Sequence, residues 1–317
     1  MYINFSSLTE DKCPLLQFTV TENSSIYNQT VFAFCVVTAV LAPLTVAANA
    51  FILAAIWKNP SLKTPCHVLL AGLAVTDFCT GLITQPSYAV LRFAVITTGD
   101  GKKFCDAKLV ADGFGYFFSS LTVLVMTLMA VERWLHMSRR SLLTVRRVVI
   151  TFISFTGLLF LLEVAGSIFV TFYGHKASKV LLIFGCSMGA FCVLVTAFAY
   201  FKVFRIIRQH QIQVHAHGNT IEIRKYKKSI FTILYILAVF VIGYFPVFGL
   251  QLVLNALQYY KFSAFPIAAD SCIVLIFFSS CVNPLLYYWR IKEIRDAVKS
   301  ILRKLLCKQN VENSEQS

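Results

Sequence analysis

Val31–Trp57 reads VFAFCVVTAVLAPLTVAANAFILAAIW, 27 residues without one charge. As a helix it rises about 40 Å, enough to cross a hydrocarbon core about 30 Å thick. Working outward from it, six more apolar stretches qualify: Pro65–Arg92, Cys105–Met137, Arg146–Tyr173, Ser178–Arg208, Lys225–Asn255 and Phe265–Trp289. Polar or charged breaks separate them at Lys58–Thr64, Thr97–Lys103, Ser138–Val145, Gly174–Ala177, Gln209–Arg224 and Ala256–Ala264. The pattern predicts an all-α membrane protein, a seven-transmembrane helix bundle.

Composition agrees. Of 317 residues, 57% are hydrophobic and 14% charged, more apolar surface than a soluble chain can hide from water. No segment has a repeat partner, which weakens an inverted-repeat transporter. No CxxC pair or Cys/His cluster stands at metal-ligand spacing, so a zinc site is not expected.

The net charge of +14 could suggest nucleic acid, but its placement says otherwise. With the amino terminus outside, twenty-one of the 29 Lys and Arg fall on the cytoplasmic side, in the inner loops and the tail. That asymmetry is the positive-inside rule, and it needs no nucleic acid. Sequons at Asn4, Asn23 and Asn28, read as preceding the first helix, point the same way. The expected divisions are a glycosylated extracellular segment over 1–30, the transmembrane domain over 31–289, an amphipathic helix over 290–307 and a disordered cytoplasmic tail over 308–317. In the amphipathic stretch Ile291, Ile294, Val298, Ile301, Leu302 and Leu305 recur at helical spacing, with Lys292, Arg295, Lys299, Arg303 and Lys304 between them. Such a membrane-surface eighth helix suits an anionic leaflet of membrane lipids. Cys307 at its end is either a palmitoylation site or a free tail cysteine.

Charged and amide groups at bilayer depth are costly and mark function. Asn49 lies in the first segment, Asp77 midway along the second, Glu163 in the fourth and Asn283 near the inner end of the seventh. Glu132, Arg133 and Trp134 close the third; Pro246 and Pro284 break the sixth and seventh. A proline there frees a carbonyl and supplies a bend.

At these residues the chain resembles the rhodopsin-like G-protein-coupled receptors over all seven segments. Asn283-Pro284-Leu-Leu-Tyr287 is similar to NPxxY, and Glu132-Arg133-Trp134 to DRY. Asn49 and Leu73–Asp77 match the first two helix signatures. Phe240 with Tyr244-Phe245-Pro246 is similar to FxxCWxP, with Gly243 and Tyr244 in place of Cys and Trp. The resemblance implies a partner heterotrimeric G protein and no catalysis. It pairs Arg133 with Glu132 at rest and lets Arg133 swing toward the G protein. It places Asp77, Thr122, Ser279, Ser280 and Asn283 at a sodium pocket, the one ion implied, against the alternative of plain interhelical hydrogen bonds. Tyr200 and Tyr287 match two tyrosines that meet through water in the active state.

Departures from the family pattern matter as well. Tyr226 stands where many relatives carry a Glu that locks Arg133, and Glu222 lies about a turn away. The fourth segment lacks Trp. Lys108 occupies the third-helix cysteine position, and the short second outer loop has no cysteine. Melanocortin, cannabinoid, adenosine and lysophospholipid receptors share some of these traits, and Tyr288-Trp289-Arg290-Ile291 looks like the adenosine and melanocortin branch. On the oxidising face Cys105 can pair with Cys13 or with Cys272.

The expected ligand is an extracellular small molecule or peptide, with candidate lining residues Ser87, Tyr88, Asp112, Tyr116, Ser119, Phe248, Gln251 and Asp270. Gly115 holds the monoamine-receptor aspartate position and Phe277 the retinal-lysine position, which argues against both ligands. Asp112 is either a partner for a cationic ligand or a solvated rim carboxylate. The alternative of a transporter or channel would need paired ionisable groups through the membrane, and only Asp77 and Glu163 lie deep. A membrane hydrolase would need metal-ligand His, yet the six histidines fall in loops or at helix ends.

Overall fold

The computed structural model of the chain describes residues 25–97, 101–138, 144–215, 238, 241–246, 249–250, 253 and 264–315. The first helix, α1, spans Ser25–Lys58, and Pro60–Leu62 forms a single 3₁₀ turn. Helix α2 covers Pro65–Cys79, with Thr64 as its cap and Pro65 in its first turn, where a missing N–H costs nothing. A π turn over Thr80–Thr84 joins it to α3, Gln85–Thr97. Pro86 supplies the reason: it has no N–H for the preceding turn, and the turn widens so that Gln85 N–H reaches the Thr80 carbonyl. Helix α4 spans Gly101–Met137, α5 Val145–His215, α6 Ala264–Arg290 and α7 Lys292–Glu315.

Six stretches among the described residues are long and apolar enough to cross a membrane, including Val145–Val170 and Ile183–Gln209 within α5. Most of the sixth expected segment, Lys225–Asn255, lies outside the described residues. Its described residues, 238, 241–246, 249–250 and 253, are helical, and Gly243 packs on α6.

The 71-residue run of α5 overturns the Gly174–Ala177 break as a change of secondary structure, but not as a change of direction. Straight, Gly166 and Leu181 would stand about 22 Å apart. Instead a Cβ on Gly166 would meet Leu181 at 3.2 Å. Phe160 meets Phe117 in the outer half of α4, whereas Phe198 meets Trp134 at its inner end. The chain therefore rises, reverses between Gly166 and Leu181, and descends. Both arms of α5 are helical up to the reversal.

The core sits between α1, α2, α4 and α6. Ile52, Leu70, Leu73, Val125, Met126 and Tyr287 form its centre. Val145–Val170 buries little, and its exposed Ile153, Phe160 and Leu161 are what a lipid-facing helix needs. In α7, Ile294, Ala297, Val298 and Ile301 join the core cluster, while Lys292, Lys299, Arg303 and Lys304 are exposed. The apolar stripe expected to meet lipid is thus partly covered by protein. The helical backbone also runs to Glu315, through the polar stretch expected to be a disordered tail. That stretch holds neither Gly nor Pro to stop it.

Candidate functional site

Three buried polar centres lie along the bundle. The outermost joins α3 to α6. Arg92 donates through Nη2 to Asp270 Oδ1, and its guanidinium lies 5.4 Å from the Tyr88 ring centroid. Asp270 is fully buried. Tyr88 in turn meets Phe277 edge-on at 5.4 Å. Tyr27 of α1 is buried within electrostatic reach of both charges. About two turns of α1 below, Cys35 Sγ donates to the Ala89 carbonyl.

The middle centre gathers the amide and carboxyl groups. Asn283 Nδ2 donates to Asp77 Oδ2 at 2.9 Å, and Ser280 lies close to the same carboxyl. Asn49 Nδ2 donates to the carbonyls of Thr45 (2.9 Å) and Ser280 (3.2 Å), tying α1 to α6. Thr122 donates to Thr76 at 3.4 Å. Tyr244 bonds Thr122 and Ser119 and lies near Asp77. Gly243 makes this possible, because a Cβ there would press Ser279 at 3.3 Å. Asp77 Oδ1, Asn49 Oδ1 and Asn283 Oδ1 are buried with no hydrogen-bond partner among the described residues. One carboxylate ringed by neutral oxygens is a donor set for a hard monovalent cation.

The innermost centre surrounds Arg133. Its Nε lies 3.8 Å from Glu132 Oε2, too long for a hydrogen bond, while its Nη2 donates to Cys66 Sγ of α2. Tyr200 lies within reach of Arg133 and Cys66, and Tyr287 within reach of Tyr200 and Asp77. Trp134 packs edge-on against Phe198.

The candidate lining residues separate. Tyr88 and Asp270 meet around Arg92, a residue the sequence reading passed over as a segment end. Ser87 is half-buried beside them. Ser119 turns to Tyr244 instead. Tyr116 is 52% exposed and neighbours Asp112, Glu163 and Cys186 on the side of α4 facing α5. Glu163, expected to lie deep, is half-buried there. Phe240, Phe248, Gln251, Tyr226 and Glu222 lie outside the described residues, as do Asn4, Asn23, Cys13 and the side chains of Cys105 and Cys307. Asn28 falls inside α1, not before it, because helix begins at Ser25. Cys186 and Cys272 are free thiols within helices. Pro246 lies in the described helical piece 241–246 of the sixth segment, and Pro284 lies inside α6.

A family model for the seven-transmembrane receptors of the rhodopsin family matches residues 48–287, a stretch that contains Arg92 and Asp270, Asp77 and Asn283, and Arg133. The chain belongs to that family. It is similar to the high-affinity lysophosphatidic acid receptor of Xenopus laevis, 23% identical over 300 residues covering 81% of this chain and 78% of the relative. Lysophosphatidic acid receptor 1 of Bos taurus is 26% identical over 295 residues, 84% of this chain and 74% of the relative. Probable G-protein coupled receptor 45 of Mus musculus is 24% identical over 298 residues, 80% and 78% of the two chains. This receptor is thus a multi-pass membrane protein of a G-protein-coupled class, with relatives in the lysophospholipid branch. The transporter and channel alternative finds no support in these matches.

Proposed function

We propose that the receptor takes an extracellular ligand at its outer mouth and relays binding through the Asp77–Asn283 centre to Arg133, which engages a heterotrimeric G protein. The amino terminus faces outside and the inner loops and α7 face the cytoplasm, a reading supported by the distribution of Lys and Arg and by the sequons. The observation that carries the relay is the vertical series of buried ionisable groups, Asp270, Asp77 and Glu132, in an otherwise apolar bundle. Each costs several kcal/mol in hydrocarbon unless a role retains it. Tyr244 rests on Ser119 and Thr122 beside Asp77, so a ligand pressing on the sixth segment would disturb the middle centre first. Pro246 and Pro284 supply the bends. The middle centre fits a sodium ion, held by Asp77, Thr122, Ser279, Ser280 and Asn283. Such an ion would neutralise the carboxylate and stabilise the resting packing.

The ligand is an extracellular small molecule or peptide. The names of two relatives make lysophosphatidic acid the first probe to apply. Guanine-nucleotide exchange on co-reconstituted heterotrimers, with and without probe, tests the function. Arg133→Ala is expected to abolish exchange while surface level is kept. Normal exchange in Arg133→Ala would remove that residue from the mechanism.

A further inference from the structure

We propose that Cys66 is a latch for Arg133, holding its guanidinium against α2 while the receptor is at rest. This rests on the reading of Arg133 as the group that faces the G protein.

The argument begins with where each acceptor sits. Glu132 is the chain neighbour of Arg133 on α4. Whatever α4 does, Glu132 travels with it, so this contact cannot register a movement between helices. Its 3.8 Å separation is also too long for a hydrogen bond. Cys66 belongs to a different helix. Thr64 caps α2 by accepting from His67 N–H, and Pro65 occupies the first turn, so the backbone at Cys66 is fixed at the inner end of that helix. The Sγ is buried, and it accepts from Arg133 Nη2 across the gap between α2 and α4. Arg133 can leave toward the cytoplasmic opening only by breaking that bond.

A thiol suits a bond that must break. Sulfur is a weak acceptor, and a neutral thiol leaves behind no stranded charge when the guanidinium departs. The next groups along the path are hydroxyls. Tyr200 of α5 lies within electrostatic reach of both Arg133 and Cys66. The Tyr287 hydroxyl, buried with no hydrogen-bond partner among the described residues, lies beyond it near Tyr200. His67, His136 and Glu293 are further titratable groups near this end. Removing the sulfur acceptor should shift the resting equilibrium roughly five-fold toward the released form, which corresponds to about 1 kcal/mol.

The test uses the full-length receptor in lipid nanodiscs with purified heterotrimers, measuring ligand-independent nucleotide exchange per folded receptor. Cys66→Ala and Cys66→Val, which lack an acceptor, should each raise basal exchange roughly five-fold. Cys66→Ser restores an acceptor and should stay near the parent level, a rescue that a merely space-filling role would not produce. Cys66→Ala combined with Arg133→Ala should fall to background. Val leaves no cavity at the site, so it carries the comparison should the Ala variant fold poorly. Basal exchange unchanged in both apolar variants, while Arg133→Ala still abolishes exchange, overturns the latch alone. Equal activation by Cys66→Ser and Cys66→Ala also overturns it. Exchange unaffected by Arg133→Ala would instead overturn the underlying reading of Arg133.

Discussion

Arg92 and Asp270 form an ion pair whose carboxylate is fully buried and whose guanidinium is 16% exposed, and the physics of such pairs is asymmetric. Assembling the pair gains little net free energy, because desolvating both ions offsets most of their attraction. Removing one partner leaves the other as an uncompensated buried charge, at a cost of about 3–5 kcal/mol. Set against a total stability of roughly 5–15 kcal/mol for an ordinary domain, that is a large share. Arg92→Leu should therefore destabilise severely, since nothing else supplies a cation to Asp270 from α3, and the Tyr88 ring would lose its cation contact. Asp270→Leu should do somewhat less harm, because a partly exposed guanidinium can reach water. The double variant Arg92→Leu/Asp270→Leu should recover most of the loss, as apolar replacement of a buried pair is often neutral or better. The assay is thermal unfolding of purified receptor in nanodiscs, alongside surface level of each variant. A coupling between the two positions below about 0.5 kcal/mol would refute the reasoning, since independent sites add within that margin.

Further outcomes follow from the other centres. Asp77→Asn should remove sodium dependence of thermal stability; a sodium response equal to that of the parent would show that the cation is not held there. Gly243→Val should disrupt the approach of the sixth segment to Ser279, because even a Cβ lies at 3.3 Å; unfolding temperature and basal exchange both unchanged would refute the close contact. Non-reducing peptide mapping is expected to find Cys13 joined to Cys105, with Cys272 free as the structure has it. Recovery of an unmodified Cys13 thiol from folded surface receptor would end that pairing.

The six described segments were legible because hydrophobic length is a local property: a charge-free run such as Val31–Trp57 announces itself residue by residue. The middle centre was legible too, since Asn49, Asp77 and Asn283 are conspicuous polar groups in apolar runs. Their hydrogen bonds fall where that contrast suggested. The reversal inside α5 was half legible. Gly174, His175 and Lys176 marked the place, but nothing in the composition said that the two helical arms would meet there without a loop between them.

What escaped were contacts set by how helices cross. Arg92 looked like the polar end of a segment, and its partner stands 178 positions away. Only the packing of α3 against α1 and α6 makes it an interior group. The π turn at Thr80–Thr84 adds to the difficulty. An added residue rotates everything after it by about 100° relative to a regular helix, so the face presented by Ser87, Tyr88 and Arg92 cannot be counted from Asp77 at 3.6 residues per turn.

Cys66 was passed over for a different reason. A buried thiol in an apolar run reads as a small hydrophobe, and in most proteins it is one. Its acceptor role exists only because α2 begins at Pro65 and α4 ends near Met137, which brings the two inner ends to one level. The same logic separates Tyr116 from Tyr88. Both are tyrosines in outer halves of transmembrane helices, yet one is 5% exposed against α1 and α6, and the other 52% exposed on the side facing α5. Residue type and depth locate a polar group along the membrane normal. Its angular position around the bundle decides whether it meets a charge, a ligand or lipid, and that angle belongs to the neighbouring helices as much as to its own.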